Sequence, residues 1–478
     1  MQKYYSKANG ILFWILIGLT FFIPLYPKFP LLNVNGTYVA VRLEDFLIAG
    51  ALLIWILTNL KHAKTLLKEN VTRAVLIFWL IGLLSLFSAL TITFSVSPSL
   101  GFLNWLRRVE SISLFFLAYT TIQNRKQLKI FLYSLLIVTV IVCLYGFGQV
   151  WAKLPVISTN NREFSKGLIL TLTNNARPNS TFAGYYDLAV YSSMILVIFG
   201  SLFFYFRKTV QKGIILLSGL ISAALLGMTA ARTAFAAALI GLTAVFWILG
   251  KRVLIVGLIL VSIVGVAAIP ALRSRLVDTI KVNLLHQVGP TYQAPPASPI
   301  SGKTATASAN VNLVKVSSAS ANASSSSVWE SSRSGGLPIG IAPGEPINTT
   351  ELDVSRSVDI RTQVEWPRAI HSFLRNPFLG TGYGSLTIAT DNDFLRSIGE
   401  VGILGTASLG LVLWILLAEI WRITKSDDKL LKHFAVGVFV MVLTFLANAV
   451  FIDVFEASKV AYIFWIITGV CMAFRKIE

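Results

Sequence analysis

Long apolar stretches separated by short polar ones dominate this chain. Twelve runs lie near 9–26, 44–60, 74–94, 104–122, 129–151, 187–206, 213–230, 232–250, 252–270, 396–421, 432–452 and 458–474. A hydrocarbon core about 30 Å thick is crossed by about 20 mostly apolar helical residues, so each run reads as a membrane-spanning helix. The fourth opens on Arg107, Arg108 and Glu110, an expensive start for a span. The first follows Lys3 and Lys7 like a signal peptide, but bulky Phe22, Ile23, Leu25 and Tyr26 offer no small-residue cleavage site. It reads as a retained helix. The pattern predicts an all-α integral membrane protein of about twelve transmembrane helices. Residues 1–270 hold nine of them, 271–395 a long extracytoplasmic loop, and 396–478 the last three.

Composition agrees. Of 478 residues, 55% are hydrophobic and 13% charged, about half the charge of a soluble domain, which excludes an ordinary globular enzyme. The formal net charge of +19 points first to nucleic acid, but that use needs a water-exposed basic face. Sorted by place, the charge is a topology signal. With the N-terminus inside, the short inner segments hold Lys3, Lys7, Lys61, Lys64, Lys68, Arg73, Arg125, Lys126, Lys129, Arg207, Lys208, Lys212, Lys251, Arg252, Arg422, Lys425, Lys429, Lys432, Arg475 and Lys476. Only Glu69, Asp427, Asp428 and Glu478 stand against them. Both termini are then cytoplasmic and the long loop is outside. Cys143 and Cys471 lie in apolar runs, and His62, His286, His371 and His433 show no metal-ligand spacing. No nucleotide-binding motif appears, so energy for any chemistry comes with the substrate.

Two outer segments carry the unusual sequence. The first, about 152–186, ends in Arg177-Pro178-Asn179-Ser180-Thr181-Phe182. In the second, residues of about 291–350 are rich in Ser, Ala, Thr and Pro, too poor in large apolar side chains to offset chain entropy, and disorder is expected. From about 352 to 395 charged and apolar residues mix. Ile360, Val364, Ala369, Ile370 and Phe373 predict an amphipathic helix that Asn376-Pro377 stops. A glycine-rich turn, Gly380-Thr381-Gly382-Tyr383-Gly384, follows, where backbone can approach a neighbour closely.

Candidate chemistry sits at the outer ends of the runs. Arg232 lies in a hairpin too short for a loop, where it either snorkels to the interface or binds an anion. Arg361, Glu365, Arg368 and Arg375 are spaced for one helix face, so Arg361 and Glu365 either pair or leave an arginine fork for phosphate oxygens. Arg177 is a further anion candidate. Asp391 and Asp393 are candidate general bases, and Asp or Asn here equally caps the next helix; Asn392 could cap while Asp391 does the chemistry. Glu400 could orient the base or balance an arginine. Arg107, Arg108 and Glu110 could form a buried network with Asp187 or Glu400.

Arg361, Trp366, Ala369, Phe373, the stretch Asn376–Gly384, Asp391-Asn392, Leu395, Glu400, Gly402 and Gly405 together resemble the signature of the O-antigen ligase and O-antigen polymerase superfamily. Thr229-Ala230-Ala231-Arg232, and Arg177–Phe182 with Asp187-Leu188-Ala189, resemble two further segments of it. The resemblance implies a bacterial cytoplasmic-membrane glycosyltransferase acting on the extracytoplasmic face. Its donor would be a glycan on undecaprenyl diphosphate and its acceptor a glycan, lipid or protein hydroxyl, with inversion and without a metal or other cofactor. It implies that Arg232 and Arg361 bind diphosphate and that the base falls at Asp391, where ligases typically carry His-Asn. An aspartate is ionised at neutral pH and can also accept a proton. Arg177, Arg368, Asn392 and Glu400 complete the expected substrate-binding set. A glycan transporter is the alternative class; it predicts charge along the whole passage and two similar halves, neither of which is evident.

Overall fold

A computed structural model describes residues 7–27, 29–33, 40–60, 63–158, 168–172, 176–270, 272–277, 291–293, 346–348, 360–386 and 389–476. The helices are α1 (Lys7–Leu25), α2 (Leu43–Asn59), the short α3 (Ala63–Leu66), α4 (Asn70–Ser88), α5 (Pro98–Thr121), α6 (Arg125–Trp151), α7 (Tyr185–Leu202), α8 (Thr209–Met228), α9 (Arg232–Ile248) and α10 (Val253–Ala268). Farther along the chain come α11 (Trp366–Arg375), α12 (Asp393–Ile423), α13 (Lys429–Ala449) and α14 (Ser458–Ala473). Every apolar run is therefore helical. Among the described residues, six helices are long and apolar enough to cross a membrane: Asn70–Thr93, Arg125–Trp151, Tyr185–Leu202, Thr209–Met228, Asp393–Ile423 and Lys429–Ala449. Asn9–Leu25, Arg232–Ile248, Val253–Ala268 and Ser458–Ala473 are shorter apolar helices. Local chemistry sets several starts. Asn124 caps α6 through Gln127 N at 2.9 Å, Asp428 caps α13 through Leu430 N at 2.8 Å, and Pro98 opens α5 where no N–H is needed.

The helices do not share burial equally. All of α14 is buried, whereas α10 has no buried residue. α14 runs through the middle, against α5, where Gly469 lets the helices close up: a methyl there would lie 2.4 Å from the Phe115 carbonyl oxygen. Phe445 of α13 stacks on Phe464 of α14 with ring centroids 4.2 Å apart. Lys459, fully buried at the head of α14, donates to the carbonyls of Tyr26 at 2.5 Å, Thr181 at 2.7 Å and Pro24 at 3.3 Å. It thereby ties the end of α1 and the turn before α7 to the central helix.

Three features depart from the sequence expectations. Three two-stranded antiparallel pairs join the helices: Pro30–Asn33 with Ala40–Arg42, Val156–Ser158 with Leu168–Leu170, and Thr291–Gln293 with Pro346–Asn348. The third pair joins residues near the two ends of the stretch expected to be disordered; 294–345 and 349–350 lie outside the described residues. The expected amphipathic helix is present but shorter than the pattern suggested: a π-helical turn, Ile360–Glu365, precedes α11, in which Ala369 is buried and Ile370 is 46% exposed.

α12 is broken in its first third. Gly402 has φ 65° and ψ −168°, a conformation essentially reserved for glycine. The backbone groups that the break frees are taken up by the turn after α11. Thr381 N donates to Gly399 O at 3.0 Å and Gly382 N to Glu400 O at 2.7 Å; Ile403 N donates to Pro377 O at 2.9 Å and Leu404 N to Phe378 O at 3.2 Å. Contact is backbone to backbone on both sides, since a methyl on Gly380 would meet Glu400 C and one on Gly402 would meet Phe378 C, each at 2.4 Å. The glycine-rich segment thus completes a discontinuous helix where unsatisfied backbone would be costly.

Candidate functional site

Hydrogen bonds tie the ends of α1, α6 and α13 and the starts of α7, α12 and α14 together at one end of the bundle. There Arg361 donates Nε and Nη2 to Asp391 Oδ2, at 3.1 and 2.7 Å. The in-helix pair with Glu365 is not the one made, because i,i+4 neighbours fall out of line in a π-helical turn. Both bonds fall on one carboxylate oxygen, and the Asp391 side chain stays 31% exposed, so it remains reachable. Burial raises the Asp391 pKa above the ordinary carboxylate range, with Arg361 pulling it down and Asp453 adding to the rise. Burial also raises Glu365, helped by the charges of Asp391 and Asp453, to about 8.

The turn that carries Asp391 is built on a carboxylate with no sequence signature. Asp453, between α13 and α14, accepts from Thr390 N at 2.8 Å and Asp391 N at 3.2 Å on Oδ2, and from Asn392 N at 3.2 Å on Oδ1. Arg396 Nη2 adds a fourth bond at 3.0 Å. Burial opposes the charge on Asp453, but Arg396 and the backbone donors override it and hold its pKa below the ordinary value. This cradle keeps Asp391 at φ 49°, a left-handed conformation that Asp tolerates. Asp453→Ala would leave Arg396 and three N–H groups without their acceptor, a loss of about 3–5 kcal/mol by analogy with broken buried pairs. A lower melting temperature of the solubilised protein is the expected readout, and an unchanged one would show that the turn holds itself.

Arginines from distant segments gather around Arg232, and one of them, Arg361, holds Asp391. Arg177, Arg275 and Arg361 all lie within electrostatic range of Arg232, as does Tyr186. Arg177 stacks over the Tyr185 ring at 3.5 Å, leaving a buried Nη1 without a hydrogen-bond partner among the described residues. Arg368 has a buried Nη2 in the same condition. Buried donors of this kind call for an acceptor, and like charges brought together call for an anion. The turns that position the cluster share a strained device. Ser180 (φ 51°), Ala230 (φ 51°) and Asp391 (φ 49°) are left-handed non-glycine residues just after or before the arginines.

Two expected substrate contacts are otherwise engaged. Asn392 Oδ1 caps α12 through Leu395 N at 3.0 Å. Glu400 is buried and accepts from Gly384 N at 3.1 Å and Arg396 Nη1 at 3.3 Å. Arg375 is spent on Thr93 O at 2.5 Å. The open network around Arg107–Glu110 resolves differently again: Arg108 pairs with Glu456, and Glu110 accepts from Tyr462 OH at 3.0 Å.

No protein-family model matches this chain, and no curated protein matches it. The site is therefore read from its own geometry. Among the described residues no group of three or more His, Cys, Asp or Glu could hold a metal ion. Sequence reading missed Arg275, Asp453, Glu456 and Lys459. The last three share the 453–459 segment where one apolar run gives way to the next, and three ionisable residues in so short a connection were the signal available.

Proposed function

We propose that the chain is a glycosyltransferase of the O-antigen ligase and polymerase kind, moving a glycan from undecaprenyl diphosphate to an acceptor hydroxyl outside the cytoplasmic membrane. Twelve spans with both termini cytoplasmic would put the arginine end outside. The observation that carries the reading is one carboxylate, Asp391, held by one arginine beside a cluster of others with buried open donors. Asp391 takes the proton of the acceptor hydroxyl. The hydroxyl oxygen attacks the anomeric carbon from the side opposite the diphosphate, and the carbon–oxygen bond to the diphosphate breaks. The lipid diphosphate leaves with the electron pair. Arg232, Arg361, Arg177 and Arg368 meet the charge that develops on it, which favours the transition state over the ground state. Inversion follows from a single displacement.

Removing one such donor typically costs 10²–10³-fold in rate, so Arg232→Ala is expected to lose glycan transfer by about that factor. Arg232→Lys should also be poor, because an ammonium does not replace a planar fork. Surface glycan separated by size is the measurement. Loss of long chains with single repeats retained indicates polymerase action, and loss of attachment indicates ligase action. Normal glycan in both Arg232 variants would overturn the role given to this arginine. The break in α12 is a device also found in transporters. Glycan still exported but unattached in a deletion strain distinguishes transfer from export.

A further inference from the structure

The opposite end of the bundle carries a feature that the transfer reaction does not use. A groove of about 390 Å³ opens between α6, α7, α8 and the start of α13. Its floor is apolar, with Leu136, Phe199 and Ile215, and its rim carries Lys129, Arg207, Lys208 and Lys429, all exposed. None of its lining residues is acidic. The neighbouring carboxylate of Asp428 is already engaged, capping α13 and pairing with Arg125 at 2.5 Å.

The groove continues as an apolar track. On α6, Tyr133, Ile137, Ile141 and Leu144 form an exposed stripe at helical spacing, and Ile214 and Leu217 of α8 are exposed beside the groove and farther along that helix. The two helices close on each other toward the far end, where a methyl on Gly146 would lie 2.8 Å from Leu225. A rise of 1.5 Å per residue puts that closure about 20 Å along α6 from Tyr133. A wedge with cations at its mouth and an apolar wall of that length has the shape and charge of one kind of molecule. We propose that this groove holds an anionic phospholipid, its phosphate among Lys129, Arg207, Lys208 and Lys429 and an acyl chain along the α6 stripe. Four like charges at the membrane surface are relieved by an anionic headgroup and gain nothing from a zwitterionic one.

The test uses the full chain reconstituted in nanodiscs of phosphatidylcholine containing about one-fifth phosphatidylglycerol. Lipid retained after gentle delipidation is measured by native mass spectrometry. Wild type is expected to retain phosphatidylglycerol in preference to phosphatidylcholine. The double variant Arg207→Gln, Lys208→Gln should lose that preference by about thirtyfold, each charge contributing at the level typical of basic residues near an anionic surface. Ile214→Trp, which fills the groove from an exposed position, should reduce retention of both lipids. Equal retention of the two lipids by wild type would overturn the proposal. So would a preference that survives the double variant, or an Ile214→Trp protein that changes oligomeric state with its lipid unchanged.

Discussion

Asp391→Asn is expected to lower glycan transfer by about 10²–10⁴-fold, the range that a positioned general base contributes, while the protein still reaches the membrane at its normal level. The substitution is a fair test because it spares the structure. Asn tolerates the left-handed conformation at this position, its amide oxygen can still accept from Arg361, and the backbone N–H stays on Asp453. What is lost is the ability to take a proton. Transfer by the Asn variant at the wild-type rate would remove Asp391 from the mechanism. The pH dependence adds a second readout. In the proposed transfer Asp391 works ionised, and burial raises its pKa, so activity should fall as pH drops through a value above the ordinary carboxylate range. Glu365 is neutral below about 8 and becomes a second negative charge above it, which would compete with the proposed diphosphate for Arg361 and Arg368. Activity should therefore also fall above about pH 8, and Glu365→Gln should abolish that alkaline limb while leaving the acid limb in place. A profile that Glu365→Gln does not alter would separate Glu365 from the site.

Gly402→Ala is expected to destabilise the fold by about 3 kcal/mol or more, combining overpacking with an unfavourable positive φ. The added methyl would lie 2.4 Å from the Phe378 carbonyl carbon and oxygen, which are backbone atoms and cannot rotate away. Relief requires the turn Pro377–Gly382 to move off α12, and that breaks the hydrogen bonds that close the helix interruption. Asp391 and Arg361 lie on either side of that turn in sequence, so transfer should fall with stability. Gly410, eight residues further along the same helix, is the control: nothing lies within 4 Å of a methyl there, and Gly410→Ala should be neutral or slightly stabilising. Heating the two variants in detergent and measuring the surviving monodisperse fraction distinguishes them. Equal melting would mean that the break in α12 is not required.

The helices were legible in the sequence to a degree that the site was not. Each of the twelve apolar runs is helical, and Asn392, read as a candidate cap, caps α12 through Leu395 N. Arg232, Arg361, Arg177 and Asp391 were visible as expensive or unusual residues near the ends of runs. Their grouping was not, and neither was Asp453, because an aspartate in a short connection reads as an ordinary turn residue until three backbone N–H groups are seen to point at it. The π-helical turn before α11 likewise sets aside the pairing of Arg361 with Glu365 that their spacing allowed, and Arg361 meets Asp391 instead.

By itself, the sequence determined which segments are apolar helices and which ends carry charge. Those properties are local: the tendency of a segment to leave water depends on its own side chains, added residue by residue. Only the tertiary structure decided that α14 is buried on every side while the more apolar α10 is not. Lipid tails are as apolar as leucine, so the same residues suit either surroundings and composition cannot choose between them. It likewise decided that Arg361 meets Asp391 across 30 positions and that α12 breaks against the turn 377–382. Those outcomes rest on charge pairing and backbone hydrogen bonds between segments, which exist only once the helices have packed.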